Sequence, residues 1–138
     1  MAAWSNVILE DVHPLYGGCL VAISAAGDVW TVDVSPTHEA RRFHAKLPAE
    51  ALRDLDRQLA ARPPRAVPSS PRPRGPDEAR ALLTFTAAGV TTVVEKWSND
   101  RNEDFDVVAR FLTDVAKTFA RNTSPVAYGH WNGTFTPR

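Results

Sequence analysis

Residues 17–34, GGCLVAISAAGDVWTVDV, alternate apolar and less apolar side chains in two runs, joined by AAGD, a glycine-containing turn of hairpin length. A period of two belongs to strands, where successive side chains point to opposite faces. Cys19, Val21 and Ile23 form one apolar set in the first arm, and Trp30, Val32 and Val34 form one in the second. The pattern predicts a hairpin with one uniformly apolar face.

The remaining elements follow from period and punctuation. NVILEDV, residues 6–12, reads as a strand ended by His13-Pro14. ARRFHAKL, residues 40–47, reads as another, with Phe43, Ala45 and Leu47 on one side and Arg42, His44 and Lys46 on the other. LPAEALRDLDRQLAAR predicts a helix: Pro48 fits its first turn, Glu50 favours its N-terminal dipole, and Leu52, Leu55 and Leu59 form a stripe. ARALLTFTA, then AG, then VTTVVEKW predicts a second hairpin rich in β-branched residues. The last helix carries Phe105, Val108, Leu112, Val115 and Phe119 along one face, with Glu103 and Asp104 in its first turn. Strands, helix, two strands, helix is an α+β order: an antiparallel sheet of about five or six strands with two helices packed on one face. At 138 residues, 43% hydrophobic and 23% charged, the chain fits a single domain over 1–138.

Composition then narrows the chemistry. Lys plus Arg and Asp plus Glu both number 16, and a net charge of zero weighs against non-specific nucleic-acid binding. Cys19 is the only cysteine, so no internal disulfide forms, and a lone thiol suits a reducing compartment. The opening MAAWSNVILEDVH has no basic region, and its apolar run is too short for an export signal, so the expected location is the cytoplasm. No apolar run is long enough for a membrane span. Asn122-Thr-Ser and Asn132-Gly-Thr match the glycosylation pattern, read here as chance. The histidines His13, His38, His44 and His130 have neither zinc spacing nor a cysteine set, and no phosphate-binding or serine-nucleophile motif occurs. No metal, cofactor or catalytic residue is expected. Cys19, opening an apolar strand after Gly17-Gly18, reads as a structural thiol.

Three stretches stand apart. Residues 63–76 hold six of the eleven prolines, with Arg65, Arg72 and Arg74 among them. RAVPSSP within this loop is an RxxPxxP arrangement of the kind read as a polyproline II ligand, so residues 63–72 are an expected exposed peptide. The tail, residues 122–138, contains Tyr128, His130, Trp131 and Phe135, aromatic enough to dock on its own domain or on a partner. EKWSNDRNED, residues 95–104, sets Lys96, Trp97 and Asp100 near a strand end and a helix start. Its carboxylates could serve a cation or acid–base work, but Ser98, Asn99, Asp100 and Asn102 are all suited to helix capping, which is the stronger reading.

RGPDEARALLTFTAAGVTTVVEKWSNDRNEDFDVVARFL, residues 74–112, resembles small bacterial α+β proteins of no assigned activity. They share a Pro-Asp-Glu-Ala-Arg turn, a polar hairpin with a Lys-Trp pair and an acidic Phe-Asp helix start. The matching positions are Pro76, Asp77, Glu78, Ala79, Arg80, Lys96, Trp97, Phe105 and Asp106. Arg74 before Gly75 departs from their turn. The resemblance implies an α+β fold, a structured entry to the hairpin over 75–80, and Asp77 or Glu78 pairing with Arg80 or a neighbouring strand. It brings no catalytic residue.

The functional expectation is a non-enzymatic bacterial cytoplasmic protein that binds another protein, as an accessory, regulatory or immunity-type factor. Arg65, Arg72, Arg74, Tyr128, His130 and Trp131 are the expected contacts, since Tyr, Trp and Arg most often anchor interfaces. The alternative is a small ligand-binding domain or enzyme with a pocket near Lys96, Trp97, Asp100 and His130. Nucleic-acid binding through the arginine loop ranks last.

Overall fold

The computed structural model describes residues 4–76, 78–120 and 124–133. Alternating segments become strands throughout: β1 (Asn6–His13), β2 (Gly17–Ser24), β3 (Asp28–Val34), β4 (Glu39–Lys46), β5 (Arg80–Ala87) and β6 (Val90–Trp97), with β7 (Ala127–His130) added from the tail. The helices are α1 (Ala49–Ala61) and α2 (Glu103–Val115), the latter running on into a π turn, Ala116–Ala120. One antiparallel sheet holds all seven strands in the order β6-β5-β1-β2-β3-β4-β7. The fold is α+β, with one strand more than expected. Asp77, Asn122 and Phe135 lie outside the described residues.

Register sorts the core. Val7 faces Ile23 and Phe85 across its two neighbours, and Leu9 faces Val21 and Leu83. Together with Val29, Phe43 and Val94 these residues form one face, on which α1 sets Leu55 and Leu59 and α2 sets Phe105, Val108, Leu112 and Val115. Both helices therefore cover the same face. Trp4 fastens the chain start to α1, its indole N–H donating to Asp56 at 2.6 Å.

One expected feature is reversed. Ile23 pairs with Val29 and Val21 with Thr31, so the apolar set Trp30, Val32 and Val34 lies opposite Leu20 and Ala22, on the face away from the helices. The turn after Ser24, with Gly27 at φ 93°, fixes this register, and a one-residue slip would exchange the two faces. Thr31 takes the core place and is buried, its hydroxyl 3.9 Å from the Cys19 sulfur. Gly18 is required where β2 opens: a Cβ there would meet the Asp11 carbonyl oxygen at 2.0 Å.

Asn102 begins α2. Its side-chain oxygen accepts from the Phe105 N–H at 3.1 Å, and its amide nitrogen donates to the Pro68 carbonyl at 2.9 Å. Asn102→Ala removes both bonds and lowers stability by about 1–2 kcal/mol. Asn102→Asp keeps the cap, loses only the tie to Pro68, and falls between the two in a urea titration. Equal losses for both variants would show that the cap contributes nothing.

Candidate functional site

Residues 63–79 connect α1 to β5, and side chains rather than a ladder hold them in place. A short 3-10 turn, Pro64–Ala66, buries Pro64, and Val67 joins the core. Ser70 N–H then donates to the Glu95 carbonyl, while the Ser69 and Ser70 hydroxyls accept from the Glu95 and Trp97 N–H groups. The segment thus lies along the outer edge of β6 and occupies backbone groups that an edge strand otherwise exposes. Most of residues 63–72 are exposed, as expected, but the segment is bound along β6 rather than mobile.

Arg72 closes this arrangement. Its guanidinium forms a two-pronged pair with Glu78, Nη1 to Oε1 at 2.7 Å and Nη2 to Oε2 at 2.6 Å, and reaches Asp100 Oδ1 from Nη2 at 2.7 Å. The Glu78 side chain is 2% exposed and also accepts from the Gly75 N–H at 2.5 Å. A Cβ on Gly75 would stand 2.6 Å from the same carboxylate oxygen, so a larger residue there would displace the Glu78 carboxylate from the Gly75 N–H. The bonds from Arg72, aided by the Gly75 N–H, hold the Glu78 carboxyl down to about 2. Asp100 is also lowered, first by the Ser70 hydroxyl and then by Arg72. Glu78 does turn to an arginine, but Arg80 meets Glu95 instead, at 3.5 Å.

The residues expected to share a role are therefore divided. Arg72, though 42% exposed at its side chain, is committed to Glu78 and Asp100, whereas Arg65 and Arg74 are exposed with no ion pair among the described residues. Lys96 lies on the helix side, donating to Asp106 at 2.5 Å with its ammonium 5.8 Å from the Phe105 ring. Trp97 is buried on the other side and donates to the Arg72 carbonyl at 2.8 Å. Asp100, its N–H bonded to the Trp97 carbonyl at 3.0 Å, lines an open 520 Å³ depression with residues 68–72 and 101–104, to which neither the Lys96 nor the Trp97 side chain contributes. Lys96, Trp97 and Asp100 serve three different places.

The tail divides as well. Tyr128 stands opposite Arg41 and His130 opposite Glu39, on the helix side of the sheet but exposed. The Tyr128 hydroxyl donates to Glu39 at 2.5 Å, and that bond raises its pKa. Trp131 crosses to the opposite face, fixed by its N–H to the His38 carbonyl at 2.7 Å. There it packs against the small cluster of Leu20, Val32, Val34 and Ala40, with the Arg42 guanidinium 5.9 Å over its ring.

That opposite face is the most distinctive surface. Leu20, Ala22 and Val32 are buried within it, at 2%, 4% and 1% exposure, although no helix of the described residues lies above them. Trp30 stacks on the His44 ring at 3.8 Å, and Asp28 receives both His44 Nε2 and Lys46 Nζ at 3.3 Å. The bond from His44, with Lys46 helping, lowers the Asp28 carboxyl. Val93 adds an exposed aliphatic side chain near the other edge. Trp30, Arg42 and His44 were not among the expected contacts. Period two places Arg42 and His44 away from Phe43, yet nothing in the sequence says which face the helices leave open.

Among the described residues no group of three or more His, Cys, Asp or Glu side chains could hold a metal ion, and no helix is long and apolar enough to cross a membrane. No protein-family model matches the chain, and no curated protein does either.

Proposed function

We propose that this chain is a protein-binding accessory, regulatory or immunity-type factor of a bacterial cytoplasmic system, and that it meets its partner with the sheet face the helices leave open. The carrying observation is the group of Trp30, Arg42, His44 and Trp131 on that face, beside buried Leu20 and Val32. Tryptophan and arginine dominate interface energetics, and an open sheet floor lets them meet a partner without rearrangement. The polar groups best suited to chemistry support the same reading, because Arg72, Glu78, Asp100, Lys96 and Asp106 bind one another and hold the loop.

A photoreactive phenylalanine analogue at position 93, on the open face, or at position 53, on α1, tests this in cells of the native host. A single cross-linked partner from position 93, absent from position 53 and lost on Trp131→Ala, is the expected result. No adduct from position 93, with the purified protein monomeric at high concentration, overturns it.

A further inference from the structure

At one end of the open face, two cavities join into a single trough. The first, 260 Å³, has Leu20, Val12 and Leu82 for its floor, with Trp131 and His38 on its walls. The second, 420 Å³, continues past Arg74 and Ala79 to Trp97. Val12, Pro14 and Arg80 line both, so the trough runs across the strand ends from one tryptophan to the other.

Among the described residues its charge leans basic. Arg80 projects into it with its side chain 54% exposed, held only by the 3.5 Å contact with Glu95. Arg74 is exposed and has no ion pair among the described residues. Of the two carboxylates on the lining among the described residues, Glu78 is saturated by Arg72 and the Gly75 N–H, which leaves Glu10. The imidazoles are engaged with the backbone: His13 Nδ1 accepts from the Leu15 N–H, and His38 Nε2 donates to the Pro14 carbonyl. A chain of zero net charge thus gathers two weakly held guanidinium groups around an apolar strip.

We infer that this trough takes an extended acidic peptide segment of a protein partner, its carboxylates on Arg74 and Arg80 and an apolar side chain on Val12, Leu20 and Leu82 beside Trp131. The inference rests on the protein-binding reading and adds the partner's chemistry. Arginine in the open pairs with carboxylate through two parallel bonds, and the trough is too open to enclose a small molecule. A chain of zero net charge disfavours a polyphosphate backbone, which needs a surplus of cations along its whole length.

The test is a titration of the 15N-labelled full chain with acetyl-Asp-Glu-Leu-Asp-Glu-Phe-amide, followed in parallel with its lysine-for-acid counterpart and with a thymidine octanucleotide. The acidic peptide is expected to shift the Trp131 and Trp97 indole signals and the Val12 and Leu82 amides. The lysine peptide and the oligonucleotide leave them in place. Arg80→Gln and Arg74→Glu, both at exposed side chains, are each expected to weaken the acidic peptide by about tenfold, the loss that one charge-assisted contact brings. Shifts that both peptides produce equally, no shift at millimolar peptide, or a stronger response to the oligonucleotide overturn the inference. Should the cross-link from position 93 persist in any of those cases, the protein-binding reading stands and only the acidic occupant is wrong.

Discussion

Phe105→Ala lowers the free energy of unfolding by about 3–5 kcal/mol in a urea titration, with the slope of the transition unchanged. Phe105 is buried at the first turn of α2, where its N–H is capped by Asn102 and its ring lies under the Lys96 ammonium. Truncation leaves a void against the sheet and takes away the surface on which Lys96 rests while it holds Asp106. A domain of this size has about 5–15 kcal/mol in all, so the variant is close to unfolding at body temperature. Phe105→Leu, which refills most of the volume, recovers more than half of the loss. A deficit of about 1 kcal/mol or less for the alanine variant would show that α2 is anchored elsewhere, through Leu112 and Val115.

Arg72→Met produces the second large effect, and its signature lies in pH. The variant retains the aliphatic stem but leaves the buried Glu78 carboxylate with the Gly75 and Asn99 N–H groups and no cation. At pH 7 its melting midpoint falls by several degrees. Glu78 in the folded wild type titrates at about 2, below its ordinary value of 4.5. Its contribution is therefore fully present above pH 4.5 and is lost as pH falls toward 2. Asp100 shifts in the same direction and adds to the same acid slope. In Arg72→Met the Glu78 carboxyl rises instead, takes up its proton early, and relieves the uncompensated charge. The gap between wild type and variant accordingly narrows between pH 7 and pH 3. Arg72→Met combined with Glu78→Gln recovers much of the loss at neutral pH, since it removes the orphaned charge rather than the bond alone. A gap that stays constant with pH would mean that the stem, not the charge, holds the loop.

Sequence reasoning located the elements wherever one side of a segment is buried. β1 to β6 show their period because each faces the helices with apolar residues, and α2 shows its stripe from Phe105 to Val115 for the same reason. β7 gives no such signal: all four of its residues are exposed, one is glycine, and an edge strand can form on backbone bonds alone. The open face was missed for a different reason. β3 carries its bulkier apolar residues, Trp30 and Val32, away from the helices, so apolarity pointed to the wrong side until the pairing of Ile23 with Val29 was known. The pairing of Arg72 with Glu78 and Asp100 was equally hidden, because a loop has no period that brings residues 28 apart into contact. The aromatic content of the tail marks Trp131 as a residue that docks on its own domain or on a partner, but gives no sign of the crossing of the sheet that brings it over Arg42.

The serines that run beside β6 sit in an unusual setting. Ser69 and Ser70 close the edge, while Pro68, Pro71 and Pro73 around them have no N–H to give. A further strand arriving from outside would meet a rim that lacks donors at positions 68, 71 and 73. The proline content of this segment thus acts as a terminator, letting a seven-stranded sheet end in water without recruiting another chain into a fibril.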